Sequence, residues 1–144
     1  MILIAKILER KGAAIHSISP DATLHEAALA MTRHGVSSLL VRSDEGHVGI
    51  LAERDIMRRL ALATADVYDT PVWQAMHEIC DVDSGEDIHR AMDLMTDRQI
   101  RHLIVREHGN VVGVISIGDV VKAYIDEQDG AITSLNHYIT GVPD

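Results

Sequence analysis

Ser116 and Asp119 stand three residues apart in "GVISIGDV", residues 113–120, where an apolar strand pattern gives way to a helical one. A hydroxyl and a carboxylate at such a junction have a definite chemistry. The first backbone N–H groups of a helix lack partners and carry the positive end of its dipole, so an anionic phosphate fits there. Ser116 adds a hydroxyl donor, and Asp119 can accept hydrogen bonds from two neighbouring hydroxyls of a sugar. A plainer reading accounts for the same spacing, with Ser116 as the N-cap of the helix and Asp119 as a first-turn acid that complements the dipole. Spacing alone favours the plainer reading.

Cations upstream shift the balance toward phosphate. "DRQIRH" puts Arg98, Arg101 and His102 at a helix end and the entry of the next strand, and the corresponding place earlier in the chain holds Arg33 and His34. Cations at helix C-termini ordinarily answer the dipole. In a chain of formal charge -9, however, arginines gathered at one spot offer forked donors suited to a phosphate.

The elements that must position these residues come in two copies. Gly49 pairs with Gly113 and Asp55 with Asp119, each pair 64 positions apart, and the same shift superposes "LLVR" on "LIVR" and Met31-Thr32 on Met95-Thr96. In the first copy the strand "AIHSI" precedes a helix with Leu24, Ala27, Ala28 and Met31 at i, i+3, i+4, i+7, and Thr23 and Glu26 are placed for a capping box. Two strands follow around the turn "SDEG", and the helix "RDIMRRLALA" closes the unit. The second copy repeats the order from "EICDV" to "GDVVKAYI". The pattern predicts an α+β fold of tandem β-α-β-β-α repeats, the first over 1–64 with its N-terminal segment and the second over 65–127. A helical tail over 128–144 follows, with Ile132, Leu135 and Ile139 at helical spacing. About 60 residues bury too little to stand comfortably alone, so the two copies should pack together. "ATADVYDTPV", punctuated by Pro71, reads as the linker.

Composition bounds the function. Apolar residues make up 47% of 144, with no Phe and one Trp, so the core is aliphatic. The acidic balance argues against nucleic acid as a partner. A single cysteine, Cys80, excludes an intramolecular disulfide and fits a reducing compartment. The opening "MILIAKILERKG" is charged from Lys6 onward, too early for a signal segment or membrane span, so a soluble cytoplasmic protein without membrane association is expected. Nine histidines are scattered without a compact ligand pattern, and no metal site is expected. No base or orienting group is placed to activate a nucleophile, so no catalytic residue is expected. Met57, Leu60 and Ala61 in one closing helix, with Val120, Val121 and Tyr124 in the other, exceed what one small sheet pair can cover, and predict a homodimer through helical faces.

The repeat, with "GILAERDI" in one copy and "QIRHLIV" followed by "GVISIGDVV" in the other, resembles the CBS-domain family, named for cystathionine β-synthase. The likeness runs from about Ala5 to Gly141. With the ending "LNHYITG" it is most similar to stand-alone bacterial proteins made of one CBS pair. The resemblance implies a disc-like pseudo-twofold pair with clefts between its repeats, and an adenosine-containing ligand there, such as AMP, ADP, ATP, NAD(H) or S-adenosylmethionine. It implies no required cofactor and no enzymatic activity, but a regulatory module that signals to an unidentified protein partner by changing conformation. The alternative is a ligand-free scaffold for dimerisation or protein interaction. In the family motif Gly-apolar-x-Ser/Thr-x-x-Asp, beginning at Gly113, the resemblance assigns phosphate to Ser116 and ribose to Asp119. Asp55 takes the ribose role in the first copy, preceded by Glu53 and Arg54, and Ile18 and Val82 are implicated in holding adenine. One departure stands out: Ala52 occupies the hydroxyl position of the first copy, which makes the second site the better one.

Overall fold

A computed structural model describes residues 1–12, 14–62 and 66–140, with side chains through residue 130. The chain runs α1 (Ile4–Lys11), β1 (Ser17–Ile18), α2 (Leu24–His34), β2 (Ser38–Ser43), β3 (Gly46–Ala52) and α3 (Glu53–Ala61). After a 3₁₀ turn at Val72–Gln74 come β4 (Asp81–Asp83), α4 (Ile88–Arg98), β5 (His102–Glu107), β6 (Asn110–Ser116) and α5 (Ile117–Thr140). The described strands form two three-stranded sheets, ordered β1-β2-β3 and β4-β5-β6. In each sheet the first pair is parallel and the second antiparallel.

Local chemistry sets the helix ends. Thr23 accepts a hydrogen bond from the Glu26 N–H at 3.1 Å and starts α2, which stops at Gly35 in the left-handed region, φ 65°. Leu24, Ala27 and Met31 turn into the core, and Ala28 is half-buried. Asp87 accepts from the His89 N–H at 2.8 Å and starts α4.

The packing units do not follow the repeat boundary expected at 64/65. One unit spans Ala14–Cys80, and the other joins α1 to everything from Asp81 onward. The segment ahead of each repeat therefore packs on the other repeat. Residues 66–72, the described part of the segment read as a linker, are docked: Leu24 N–H donates to the Thr70 carbonyl at 3.0 Å and Val72 N–H to that of Ala22 at 2.7 Å. Ile50 and His77 exchange N–H···O bonds at 3.0 Å in both directions, and Val72 is fully buried. In the other unit Ile4 N–H reaches the Glu86 carbonyl at 2.9 Å, while Ile4 and Ile7 enter the core.

This exchange explains the repeated glycine. Across the first sheet Ile18, Val41 and Gly49 lie in register, and across the second Val82, Val105 and Gly113 do the same. A Cβ on Gly49 would stand 2.7 Å from Met76 Sδ and 3.0 Å from the His77 carbonyl, and one on Gly113 would stand 2.6 Å from Leu8 Cδ2. Each glycine is a seat for an apolar side chain of the docked segment.

One expectation for the closing helices is corrected. Val120 is only 1% exposed and belongs to the core. The outward stripe is Ile117, Val121 and Ile125, four residues apart, and Tyr124 is half-buried beside it. The tail expected to be helical over 128–144 is, through Thr140, the continuation of α5, which runs unbroken from Ile117 through Gly130. The contacts expected of Ile132, Leu135 and Ile139 lie outside the described side chains.

Candidate functional site

The junction of β6 and α5 is a reciprocal cap. Asp119 N–H donates to Ser116 Oγ at 3.2 Å, and Ser116 N–H donates to Asp119 Oδ2 at 2.8 Å. The plainer reading of the two residues is thus realised, and it fixes both side chains at the helix entrance. Lys11 adds what the sequence left invisible: its Nζ donates to Asp119 Oδ2 at 2.7 Å and to the Val114 carbonyl at 2.9 Å. Burial of the Asp119 carboxyl works to raise its pKa. The hydrogen bonds from Lys11 and from Ser116, together with the Lys11 charge, outweigh that and hold it below the ordinary value of 3.8. Asp119 therefore stands ionised, an acceptor, across the neutral range.

The first copy builds the same corner with different parts. Ala52 N–H donates to Asp55 Oδ2 at 2.7 Å, and His77 Nδ1 lies 2.8 Å from that oxygen. Asp55 is buried at 8% side-chain exposure, whereas Asp119 keeps 23%. Ala52 supplies no hydroxyl, as its sequence position required.

The other expected site residues divide between the two units. With Ser116 and Asp119 lie His102, whose residue pairs with Ser116 across the sheet, and Arg101, whose carbonyl accepts from Ile117 N–H at 2.8 Å. His102 is buried, and the Arg98 and Arg101 side chains are exposed near the same end of the sheet. Gly113 is covered by Leu8, and Val82 is buried in its row. The unit Ala14–Cys80 holds Asp55, an exposed Glu53, a half-buried Arg54 and a half-buried Ile18 packed on its apolar core. There His34 stacks on His16 with ring centroids 4.0 Å apart. Among the described residues no group of three His, Cys, Asp or Glu side chains could hold a metal ion. No helix among them is long and apolar enough to cross a membrane.

The repeated unit, its order of elements and its capped strand-helix junctions meet a single family description, the CBS domain, which matches residues 11–62 and 76–126. The chain belongs to the CBS-domain family. As a CBS pair it is 35% identical over 127 residues to the mitochondrial CBS domain-containing protein CBSX3 of Arabidopsis thaliana, covering 84% of this chain and 62% of that protein. The pair thus spans under two thirds of that relative's length. Among solved structures it is similar to the CBS domain NE2398, at TM-score 0.81 and 37% identity over 87% of this chain and 99% of that one. It is also similar to the CBS domain protein PAE2072 of Pyrobaculum aerophilum, solved as a complex with AMP, at TM-score 0.72 and 28% identity over 82% and 89% of the two chains.

Reading the sequence missed Lys11 and His77. They lie 66 positions apart and Leu8 and Met76 lie 68 apart, so neither pair falls in the 64-residue register that revealed the repeat. The glycines under Leu8 and Met76 were the available signal: a strand glycine with no turn to make implies something close above it.

Proposed function

We propose that this CBS pair is a regulatory module that binds an adenine nucleotide at the entrance of α5 and acts in the cytoplasm without catalysing a reaction. Asp119 holds the ribose hydroxyls, Ser116 meets a phosphate, and Arg98 and Arg101, with His102, complete the anion's surroundings. The observation that carries the reading is Asp119 itself, an ionised carboxylate fixed beside a hydroxyl at a helix entrance and still partly open to solvent. AMP leads ADP, ATP and NAD(H) because a relative of the same fold is an AMP complex. The Asp55 corner, buried and lacking the hydroxyl, is the weaker site.

A melting-temperature panel of AMP, ADP, ATP, NAD(H) and S-adenosylmethionine tests this reading. A ligand at 100 times its dissociation constant adds about 2.7 kcal/mol of stability. No shift with any member would favour the ligand-free scaffold instead.

The module is further proposed to act as a homodimer through its helical faces. Met57 and Leu60 are 59% and 52% exposed on α3, and the stripe of Ile117, Val121 and Ile125 on α5 is likewise uncovered. Light scattering at micromolar protein should give twice the chain mass, and a monomer mass would contradict this arrangement.

A further inference from the structure

We propose that Lys11 is an internal competitor for Asp119: its ammonium occupies the carboxylate until a nucleotide's ribose takes its place, and that exchange frees the end of α1. The inference rests on the nucleotide reading of the site and assigns its regulation.

A carboxylate oxygen offers two lone pairs. Ser116 N–H and Lys11 Nζ, at 2.8 and 2.7 Å, already engage Asp119 Oδ2. A sugar diol that uses both carboxylate oxygens needs a place on Oδ2. Ser116 N–H is fixed by the cap, so Lys11 is the donor that must leave. Its ammonium can leave at modest expense, because the Lys11 side chain is 37% exposed and ends a flexible stem.

The place of Lys11 in the chain gives its release a consequence. It is the last residue of α1, followed by Gly12 at φ 86°, whose N–H closes the helix on the Leu8 carbonyl at 2.9 Å. Just beyond, the chain leaves one packing unit and enters the other at Ala14. The counterpart in the other repeat is built independently and to the same plan. His77 engages Oδ2 of Asp55, and the chain leaves that unit three residues later, after Cys80. In both repeats the carboxylate at the helix entrance pins the segment that leads across. A ligand that claims the carboxylate unpins the crossover.

While the latch is closed, the binding-competent population is reduced, and apparent affinity falls by that fraction. Lys11→Met keeps the helix-forming apolar stem and removes the ammonium. Calorimetric titration with AMP should show Lys11→Met binding about twofold to fivefold tighter than the parent, the range expected of a partly exposed ion pair. Unchanged affinity would overturn the proposal, and weaker affinity would make Lys11 a ligand contact instead. Hydrogen exchange over residues 8–12 is the second measurement and needs no nucleotide. Asp119→Asn, which keeps an acceptor for the cap but loses the charge, should speed exchange there, and saturating AMP should do the same to the parent protein. No acceleration in Asp119→Asn overturns the latch whether or not AMP binds. If neither parent nor Lys11→Met binds AMP while Asp119→Asn does accelerate exchange, the nucleotide reading and the competition fall and the structural pin alone survives.

Discussion

Ile4→Ala should lower the stability of the protein by about 2 to 5 kcal/mol, the range for emptying a filled core position. Ile4 begins α1, ahead of the first repeat in sequence, and that segment is tied down. Ile4 has no exposed surface, its N–H reaches the Glu86 carbonyl, and Ala5 N–H reaches that of Ser84 at 2.9 Å. The helix it begins lies along β6 and α5, with Leu8 seated on Gly113. Truncating Ile4 therefore opens a hole in the unit that carries Ser116 and Asp119, although in sequence it precedes the other repeat. Urea unfolding measures the loss as a fall in midpoint at constant slope. A change below about 0.5 kcal/mol, ordinary for an exposed site, would mean that α1 does not pack as described.

Asp119→Ala should weaken AMP binding about tenfold to a hundredfold, because hydrogen bonds to a charged acceptor contribute about 1.5 to 3 kcal/mol. The same substitution removes the cap on Ser116 N–H and strands the Lys11 ammonium in a partly exposed place, where water can take it. The fold should survive, since the loss of a cap typically costs about 1 kcal/mol. Asp55→Ala should reduce binding less, because Ala52 leaves its corner without a hydroxyl. Its structural penalty should be larger, because Asp55 is buried and joins Ala52 N–H to His77. Calorimetry and melting of the two variants together separate these effects. Equal losses of affinity would overturn the ranking of the two corners.

Much of this architecture was legible in the residues. The gap-free 64-residue offset carried the repeat, helical spacing placed Leu24, Ala27 and Met31 inside, and Thr23 marked a helix start. The strand-helix junction was legible too, since Ser116 and Asp119 cap it reciprocally. What stayed hidden depended on partners distant in sequence. Nothing in "LERKG" or "AMHEI" announces that each docks across the other repeat, because the docked pairs sit outside the repeat's register and differ in chemistry, Leu8 against Met76 and Lys11 against His77. Val120 was misplaced for a related reason. Consecutive valines on a helix satisfy an inward and an outward stripe equally, and only the packed sheet decides between them. The continuity of α5 through Gly130 into the tail was hidden too, because the tail has no copy upstream to align it with.

The proposed seat of the adenine nucleotide is the entrance of α5. Titrating AMP into isotope-labelled protein while following the backbone amide resonances tests the binding and its place together. Saturable shifts are expected, concentrated at Ser116, Ile117 and Asp119, with smaller ones at the Asp55 corner. AMP that leaves the Ser116–Asp119 amides unmoved at millimolar concentration, or that moves only residues remote from them, would contradict it.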